Sequence, residues 1–210
     1  MIAALRACHA LPMLLPEVAA LFGIPQLTDG QTDVDIGIHT LNTLAEAAAC
    51  EAPLAVRFAL LVMNVGKSDS PPEHLPIHYR HVERGGPRIE AICARFGVPE
   101  SSRELALLSL LEGERVHRVL EVRAGPVAAM LERLMAFDQP ERFKLLMMVC
   151  ACDYRAYGNR SGQIYPKAQL LASALGACNS IRPTTEGQED ALHLARATAI
   201  ALAFRSQRWP

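Results

Sequence analysis

The segment from residue 54 to residue 66, LAVRFALLVMNVG, is apolar on nearly every side of a helix. A helix that is hydrophobic all round belongs in the interior of a protein, so other elements must surround it. Gly66 is a typical C-terminal stop, and Lys67 begins the loop that follows. The sequence therefore predicts a fold built around a buried helix that ends in a Gly-Lys turn.

The rest of the chain also has a helical pattern. Apolar residues recur every three or four positions over 36–51 and 100–118, and the centre of segment 140–157 reads LLMMVCAC. Aromatic residues make up only 5% of the chain, while Ala and Leu are abundant, which favours helices over sheets. These features predict an all-α protein of about nine helices with no convincing strand.

Some helices carry more specific signals. In helix 100–118, Leu105, Leu108 and Leu111 are predicted to face inward and Glu112 and Glu114 outward. The motif Gly85-Gly86-Pro87 interrupts the next helix upstream and leaves its start undefined. The N-terminal capping pattern of the last helix is formed by Thr184, Thr185, Glu186 and Glu189.

Charge and hydropathy exclude some classes of partner. The formal net charge is −1, so nucleic acid would have to be held by a local basic patch. No apolar run reaches the roughly 18 residues that a membrane span needs, and no signal peptide is recognisable. We expect a soluble cytoplasmic protein with no membrane partner.

The six cysteines are Cys8, Cys50, Cys93, Cys150, Cys152 and Cys178. They form no Cys-x-x-Cys pair, which argues against a zinc ribbon. Cys150 and Cys152 are two positions apart, so on a helix they face different sides. All six are predicted to be buried reduced thiols.

Several histidines and one aspartate could together bind a divalent metal. These residues are His39, His78, His81, His117 and Asp153. Imidazole and carboxylate ligands suit zinc, manganese, iron or nickel. Taken singly, each histidine is also explained by a surface position or an ordinary hydrogen bond. Asp153 follows an apolar run, so it needs a partner if it is buried; Arg155 or Arg160 could supply one in a surface ion pair.

A set of arginines repeats at helical spacing beside His81. Its members are Arg80, Arg84, Arg88 and Arg95. Such a stripe suits phosphate binding. Glu83 and Glu90 dilute it, so a solvated helix face is the alternative.

Four segments resemble a known family. They are LLPEVAALFGIPQ (14–26), DIGIHTLNTL (35–44), VRFALLVMNVGKSDSPPEHLP (56–76) and the 140–160 segment with CDYRAYGN. Together they resemble the C-terminal half of the bacterial CCA-adding enzyme, the tRNA nucleotidyltransferase whose C-terminal part is an HD domain. The likeness covers almost the whole chain.

The resemblance implies an HD-domain-like helical core over residues 1–125, with helix 140–157 packed back on it, and a smaller helical part over 126–210. In members with an intact site, the HD domain acts as a metal-dependent phosphohydrolase on 2′,3′-cyclic phosphates, 2′-nucleotides and simple phosphates. The family's nucleotidyltransferase head precedes the matched region, and Asp33 and Asp35 are not its catalytic pair. This chain alone is therefore not expected to add CCA to tRNA.

The family site consists of an early His, an adjacent His-Asp pair, later histidines, a final Asp and a lysine. The matching residues here are His39, His78 or His81, His117, Asp153 and Lys67. Three positions depart from this pattern: the His-Asp pair falls on Met63 and Asn64, and a further His falls on Gly113. Thioether, amide and hydrogen are poor substitutes for these ligands.

The degenerate pair predicts that no metal binds at full occupancy, with weak binding of Ni, Mg or Mn as the alternative. Three functions follow as hypotheses. The first is a non-hydrolytic module that binds phosphate through Arg80, Arg84 and Arg88 and contacts tRNA or an RNA end, or acts as a scaffold. The second is a weak metal-dependent phosphohydrolase. The third is a structural bundle that forms a homo-oligomer.

Overall fold

The computed structural model of the chain describes residues 1–27, 34–118, 123–182 and 189–206. These residues contain eleven α-helices, named α1 (Ile2–Ala7), α2 (Leu11–Leu14), α3 (Pro16–Ala19), α4 (Ile36–Ala49), α5 (Leu54–Val62), α6 (His81–Phe96), α7 (Glu100–His117), α8 (Ala124–Arg133), α9 (Pro140–Arg155), α10 (Pro166–Ala177) and α11 (Glu189–Ser206). The predicted all-α class is confirmed.

The region before α4 differs in detail from the prediction. It contains three short helices, because Pro12 and Pro16 each lie in the first two positions of a new helix. It also contains two strands of two residues each, β1 (Pro25–Gln26) and β2 (Val34–Asp35), which pair antiparallel. The Asp35 side chain then caps α4 by accepting a hydrogen bond from the backbone N–H of Ile38.

The central helix α5 packs against α4, α7 and α9. Val56, Ala59, Leu60 and Val62 are buried on it, as the apolar pattern predicts, although Leu54 at its first position is exposed. α5 ends at Val62, four residues before the predicted stop, and residues 65–67 form a single 3₁₀ turn. Met63 and Asn64 thus lie at the junction between helix and turn.

Helix α6 begins at His81 and continues through Gly85-Gly86-Pro87. The backbone of Gly85 in this helix approaches the backbone of Gly66 in the Gly-Lys turn closely. A Cβ atom built on Gly66 would lie 2.6 Å from the Gly85 nitrogen and 2.8 Å from its Cα. The absence of a side chain at Gly66 therefore allows the Gly-Lys turn to pack against α6.

We expect Gly66→Ala to lower the free energy of unfolding by about 2 kcal/mol, because the added methyl group would collide with backbone that cannot move aside. Gly86→Ala is the matched control. A Cβ at Gly86 has nothing within 4 Å, so alanine there is expected to be neutral or to stabilise the helix by roughly 0.5 kcal/mol. Urea denaturation measures both; equal effects of the two substitutions would contradict the close contact.

Helix α7 corrects two predicted orientations. Leu105 and Leu108 are buried as expected, but Leu111 is 46% exposed and Glu112 is only 1% exposed. Glu112 tolerates burial because Arg133 of α8 donates to both of its carboxylate oxygens, each at 3.0 Å. An ion-pair partner on another helix reversed the orientation that polarity alone predicted.

The later helices pack mainly with one another. α11 lies against α8 and α10, whereas α9 contacts α4, α5 and α7. The domain division at residue 125 stays a prediction, and the capping residues 184–186 lie outside the described part of the chain. In the described residues, no helix combines the length and the hydropathy required for a bilayer crossing.

Candidate functional site

The centre of the site is Asp153, whose carboxylate lies between two imidazoles. His39 Nε2 is 2.8 Å from Asp153 Oδ1, and His117 Nε2 is 3.1 Å from Asp153 Oδ2. These residues come from the first turn of α4, the last turn of α7 and the last turn of α9. A single carboxylate therefore joins three helices that surround α5.

The electrostatics of Asp153 follow from this arrangement. Burial by itself would raise the pKa of Asp153, but the adjacent His39 and His117 imidazoles outweigh it and hold the pKa well below its ordinary value. Asp153 is therefore ionised at neutral pH. Sequence reasoning paired it with Arg155 or Arg160, but Arg155 Nε donates instead to the Gln163 carbonyl at 2.7 Å.

Tyr165 extends the cluster beyond His117. Its hydroxyl lies 2.9 Å from His117 Nδ1, while His117 Nε2 faces the carboxylate. The consistent arrangement is that the tyrosine O–H donates to Nδ1 and that Nε2–H donates to Asp153. Burial, reinforced by nearby acidic groups, raises the pKa of Tyr165, so its hydroxyl keeps its proton.

His39 is held on the opposite side of the carboxylate. It is fully buried, and the Tyr157 ring stacks on it with ring centroids 4.0 Å apart. With Nε2 directed at Asp153, Nδ1 has no hydrogen-bond partner within the described ranges. The imidazole is thus fixed by stacking on one side and by the carboxylate on the other.

A second polar network lies beside this cluster and is centred on Lys67. Its ammonium group is 3.1 Å from Gln26 Oε1 and 3.1 Å from Glu114 Oε1. His81 Nε2 is 3.4 Å from the same glutamate oxygen, and Gln26 Nε2 donates to the Tyr157 hydroxyl at 2.8 Å. Lys67 is therefore linked through Gln26 to the tyrosine that covers His39.

The ionisation of this network is governed by burial and by the charges beside it. Burial acts to raise the pKa of Glu114, but Lys67 and His81 outweigh it and lower that pKa. Burial also lowers the pKa of His81, with Glu114 acting in the opposite direction and Lys67 in the same one. Glu114 is thus an ionised carboxylate that already has cationic partners.

A pocket of about 440 Å³ opens between the two networks. Met63, Asn64 and Gly113, the three positions that the resemblance predicts to depart from the family pattern, all line it. The basic and imidazole side chains that line it are Lys67, His81, His117, Arg118, Arg160 and Lys167. Its two acidic lining residues, Glu114 and Asp153, both have positive or imidazole partners. The pocket therefore has the charge composition of an anion site.

The side chains that converge on Asp153 do not match the ligand set that a divalent metal requires. His39, His117 and Asp153 converge, but each carboxylate oxygen faces an imidazole nitrogen at hydrogen-bond distance. Among the residues that the structure describes, no three His, Cys, Asp or Glu side chains are arranged to hold an ion. The side chains of Met63 and Asn64 add no imidazole or carboxylate, so the residues present do not fit the family's metal.

His78 and the arginine stripe lie around the Gly-Lys turn. His78 bonds to Ser70 Oγ at 2.8 Å and to the Pro25 carbonyl at 2.9 Å. Arg84 donates to the Gly66 carbonyl at 3.0 Å, and Arg88 donates to that of Val65 at 2.9 Å. Both arginines also pair with Asp69, whereas Arg80 pairs with Glu83. Their phosphate-binding role stays a prediction, but these contacts show that Arg84 and Arg88 hold the turn against α6.

Sequence reasoning missed four residues that complete the site: Gln26, Glu114, Tyr157 and Tyr165. Glu114 was assigned to a solvent face of α7, although it stands one helical turn before Arg118 and three positions before His117. The tyrosines lie at the end of α9 and just before α10, where the pattern carried no distinguishing signal. Only the three-dimensional packing brings them to the two histidines.

The fold and site define an all-α protein with a buried His-Asp-His cluster at the base of a basic pocket. Its sequence is 41% identical over 177 residues to the Multifunctional CCA protein of Nitrosomonas eutropha, covering 84% of this chain and 43% of that protein. It is 38% identical to that of Burkholderia orbicola and 39% identical to that of Ralstonia nicotianae, covering 97% and 96% of this chain and 52% and 49% of those proteins.

The chain is therefore similar to part of the multifunctional CCA proteins, as a partial match of the C-terminal type. It spans about half the length of these curated relatives. No family model matches the chain, and no solved structure matches it. The resemblance predicted from the four sequence segments is confirmed.

Proposed function

We propose that this chain is a degenerate HD domain that binds phosphate groups of RNA, with tRNA or an RNA end as the partner, and does not hydrolyse them. The observation that carries the proposal is the pocket beside Met63 and Asn64, which six basic or imidazole side chains line and whose carboxylates are already paired. The tRNA partner is proposed from the relationship to the multifunctional CCA proteins.

Two features of the pocket support binding without hydrolysis. Lys67 and Lys167 offer ammonium groups suited to a phosphate dianion. In contrast, Asp153 is engaged by two imidazoles, and Asn64 has no negative charge with which to hold a metal ion. A phosphate ester would therefore meet positive charge but no metal-activated water.

Replacing pocket lysines tests this proposal. We expect Lys67→Met and Lys167→Met each to weaken tRNA binding by roughly 10-fold, because each removes a charged contact to phosphate. Mobility-shift titrations at several salt concentrations measure the effect. Wild-type affinity is expected to fall steeply with salt, because phosphate contacts release counterions.

The matched control is Lys144→Met. Lys144 lies on α9, and its side chain is 67% exposed and pairs with Glu141 away from the pocket. The Lys144→Met substitution is expected to change the affinity for tRNA by less than about 2-fold. Lys67 is buried, so circular dichroism must show that its variant is folded; Lys167 provides the second test. Equal losses in all three variants, or binding that is insensitive to salt, would contradict a phosphate site in the pocket.

Self-association stays a separate hypothesis. On the described part of α11, Leu194 and Leu202 are 67% and 62% exposed. They are eight positions apart, so they lie on one side of the helix. This is the apolar surface that a second copy of the chain could cover, in the scaffolding version of the proposal.

A further inference from the structure

The structure brings together two cysteines that are far apart in sequence. Cys50 Sγ and Cys152 Sγ are 3.9 Å apart, although 102 residues separate them. Cys50 is the residue at which α4 ends, and Cys152 lies on α9 immediately before Asp153. The thiol pair therefore connects the two helices that carry His39 and Asp153.

The two thiols differ in accessibility. All six cysteines are free, and the prediction that all are buried is wrong for Cys8 and Cys50, which are exposed. Cys152 is completely buried. An oxidant arriving from solvent therefore meets Cys50 first, with Cys152 directly behind it.

We propose that Cys50 and Cys152 form a reversible oxidation site, in which a peroxide converts the thiol pair to a disulfide that links α4 to α9. The proposal does not depend on what the pocket binds. A disulfide needs its sulfur atoms about 2 Å apart, so the two sulfurs, now 3.9 Å apart, must move closer for the bond to form.

The chemistry balances in two steps. The Cys50 thiolate attacks hydrogen peroxide; an S–O bond forms, the O–O bond breaks, and the released hydroxide takes a proton to become water. Cys152 then attacks the Cys50 sulfenic acid; the S–S bond forms, the S–O bond breaks, and the second water leaves with the thiol proton. Two thiols are oxidised and one peroxide is reduced to two waters.

The order of attack follows from the surroundings of Cys152. The Cys152 side chain is completely buried, so peroxide in solvent does not reach it directly. Its nearest reactive partner is the sulfur of Cys50, which suits a resolving cysteine rather than a peroxide-reactive one.

The test treats the folded full chain with hydrogen peroxide, blocks the remaining thiols by alkylation and maps peptides by mass spectrometry. We expect a Cys50–Cys152 linked peptide in most molecules and none after reduction with dithiothreitol. Because the link closes a loop of about 100 residues, the Tm is expected to rise on the order of 10 °C, and reduction should reverse the rise.

Three variants make the test specific. Cys50→Ser should abolish the link and the Tm rise, and Cys152→Ala should do the same while leaving Cys50 open to further oxidation. Cys8→Ser is the matched control, because Cys8 is also exposed but should leave the link intact. A sulfinic acid at Cys50 in wild-type protein with Cys152 still open to alkylation after unfolding, or a disulfide between two chains, would overturn the proposal.

Discussion

Replacing Asp153 with asparagine is expected to lower the free energy of unfolding by about 3 kcal/mol, because a buried imidazole, that of His39, and a half-buried one, that of His117, lose their shared charged partner. An amide can accept from one imidazole through its oxygen, but its NH₂ group then faces the N–H of the other. His39 is fully buried, so it cannot turn to solvent for a replacement. Urea denaturation at neutral pH measures this loss.

The same variant should change how stability depends on pH. The folded pKa of Asp153 lies below its ordinary value of 3.8, so the unfolded chain binds the proton more readily. The stabilisation is therefore complete above about pH 4 and is lost as the pH falls below 3.8 toward the folded pKa. In that pH window, the free energy of unfolding of the wild type should fall by about 1.4 kcal/mol more per pH unit than that of Asp153→Asn.

A control on the same helix separates this effect from general acid destabilisation. Glu141→Gln also neutralises a carboxylate of α9, but Glu141 is 79% exposed and pairs only with Lys144 among the contacts described for it. We expect it to change the unfolding free energy by less than about 0.5 kcal/mol. If Asp153→Asn were as mild as this control, or if its acid slope matched wild type, the buried His-Asp-His cluster would not stabilise the fold.

The sequence predicts the parts of this site that depend on local pattern. The apolar run of α5 locates the buried helix, and the family resemblance places Met63 and Asn64 at the position of the missing His-Asp pair. Both residues line the pocket. These features could be read from the chain because helical period and motif spacing are properties of neighbouring residues.

The partners of Asp153 could not be read in the same way. His39 lies 114 positions away, and its approach depends on how α4, α7 and α9 pack around α5. Burial of Glu112 likewise depends on Arg133 from another helix, so a polarity rule gave the wrong orientation. The close approach of Gly66 to Gly85 of α6 also depends on how the Gly-Lys turn packs against that helix. Each of these incorrect predictions concerns a contact between residues on different elements, which the local sequence pattern does not reveal.

Introducing the three ligands that the family resemblance predicts to be missing is expected to create a metal site. The variant Met63→His, Asn64→Asp and Gly113→His places two imidazoles and one carboxylate around the pocket that these positions already line. Asn64→Asp is nearly isosteric, and a Cβ on Gly113 meets nothing within 4 Å, so the backbone can accept the new side chains. We expect affinity for Ni²⁺ or Mn²⁺ to rise by roughly 100-fold or more.

Titration calorimetry and metal analysis after dialysis measure the expected gain. Wild type should retain little metal, and EDTA should leave its Tm unchanged; the variant with the three added ligands should hold about one ion per chain and lose Tm with EDTA. The control variant Met63→Leu, Asn64→Gln and Gly113→Ala alters the same positions without adding ligands, so it should behave like wild type. Stoichiometric metal on wild type that is lost in His39→Ala would instead favour the weak phosphohydrolase, because His39 and Asp153 would then be ligands despite their mutual hydrogen bond.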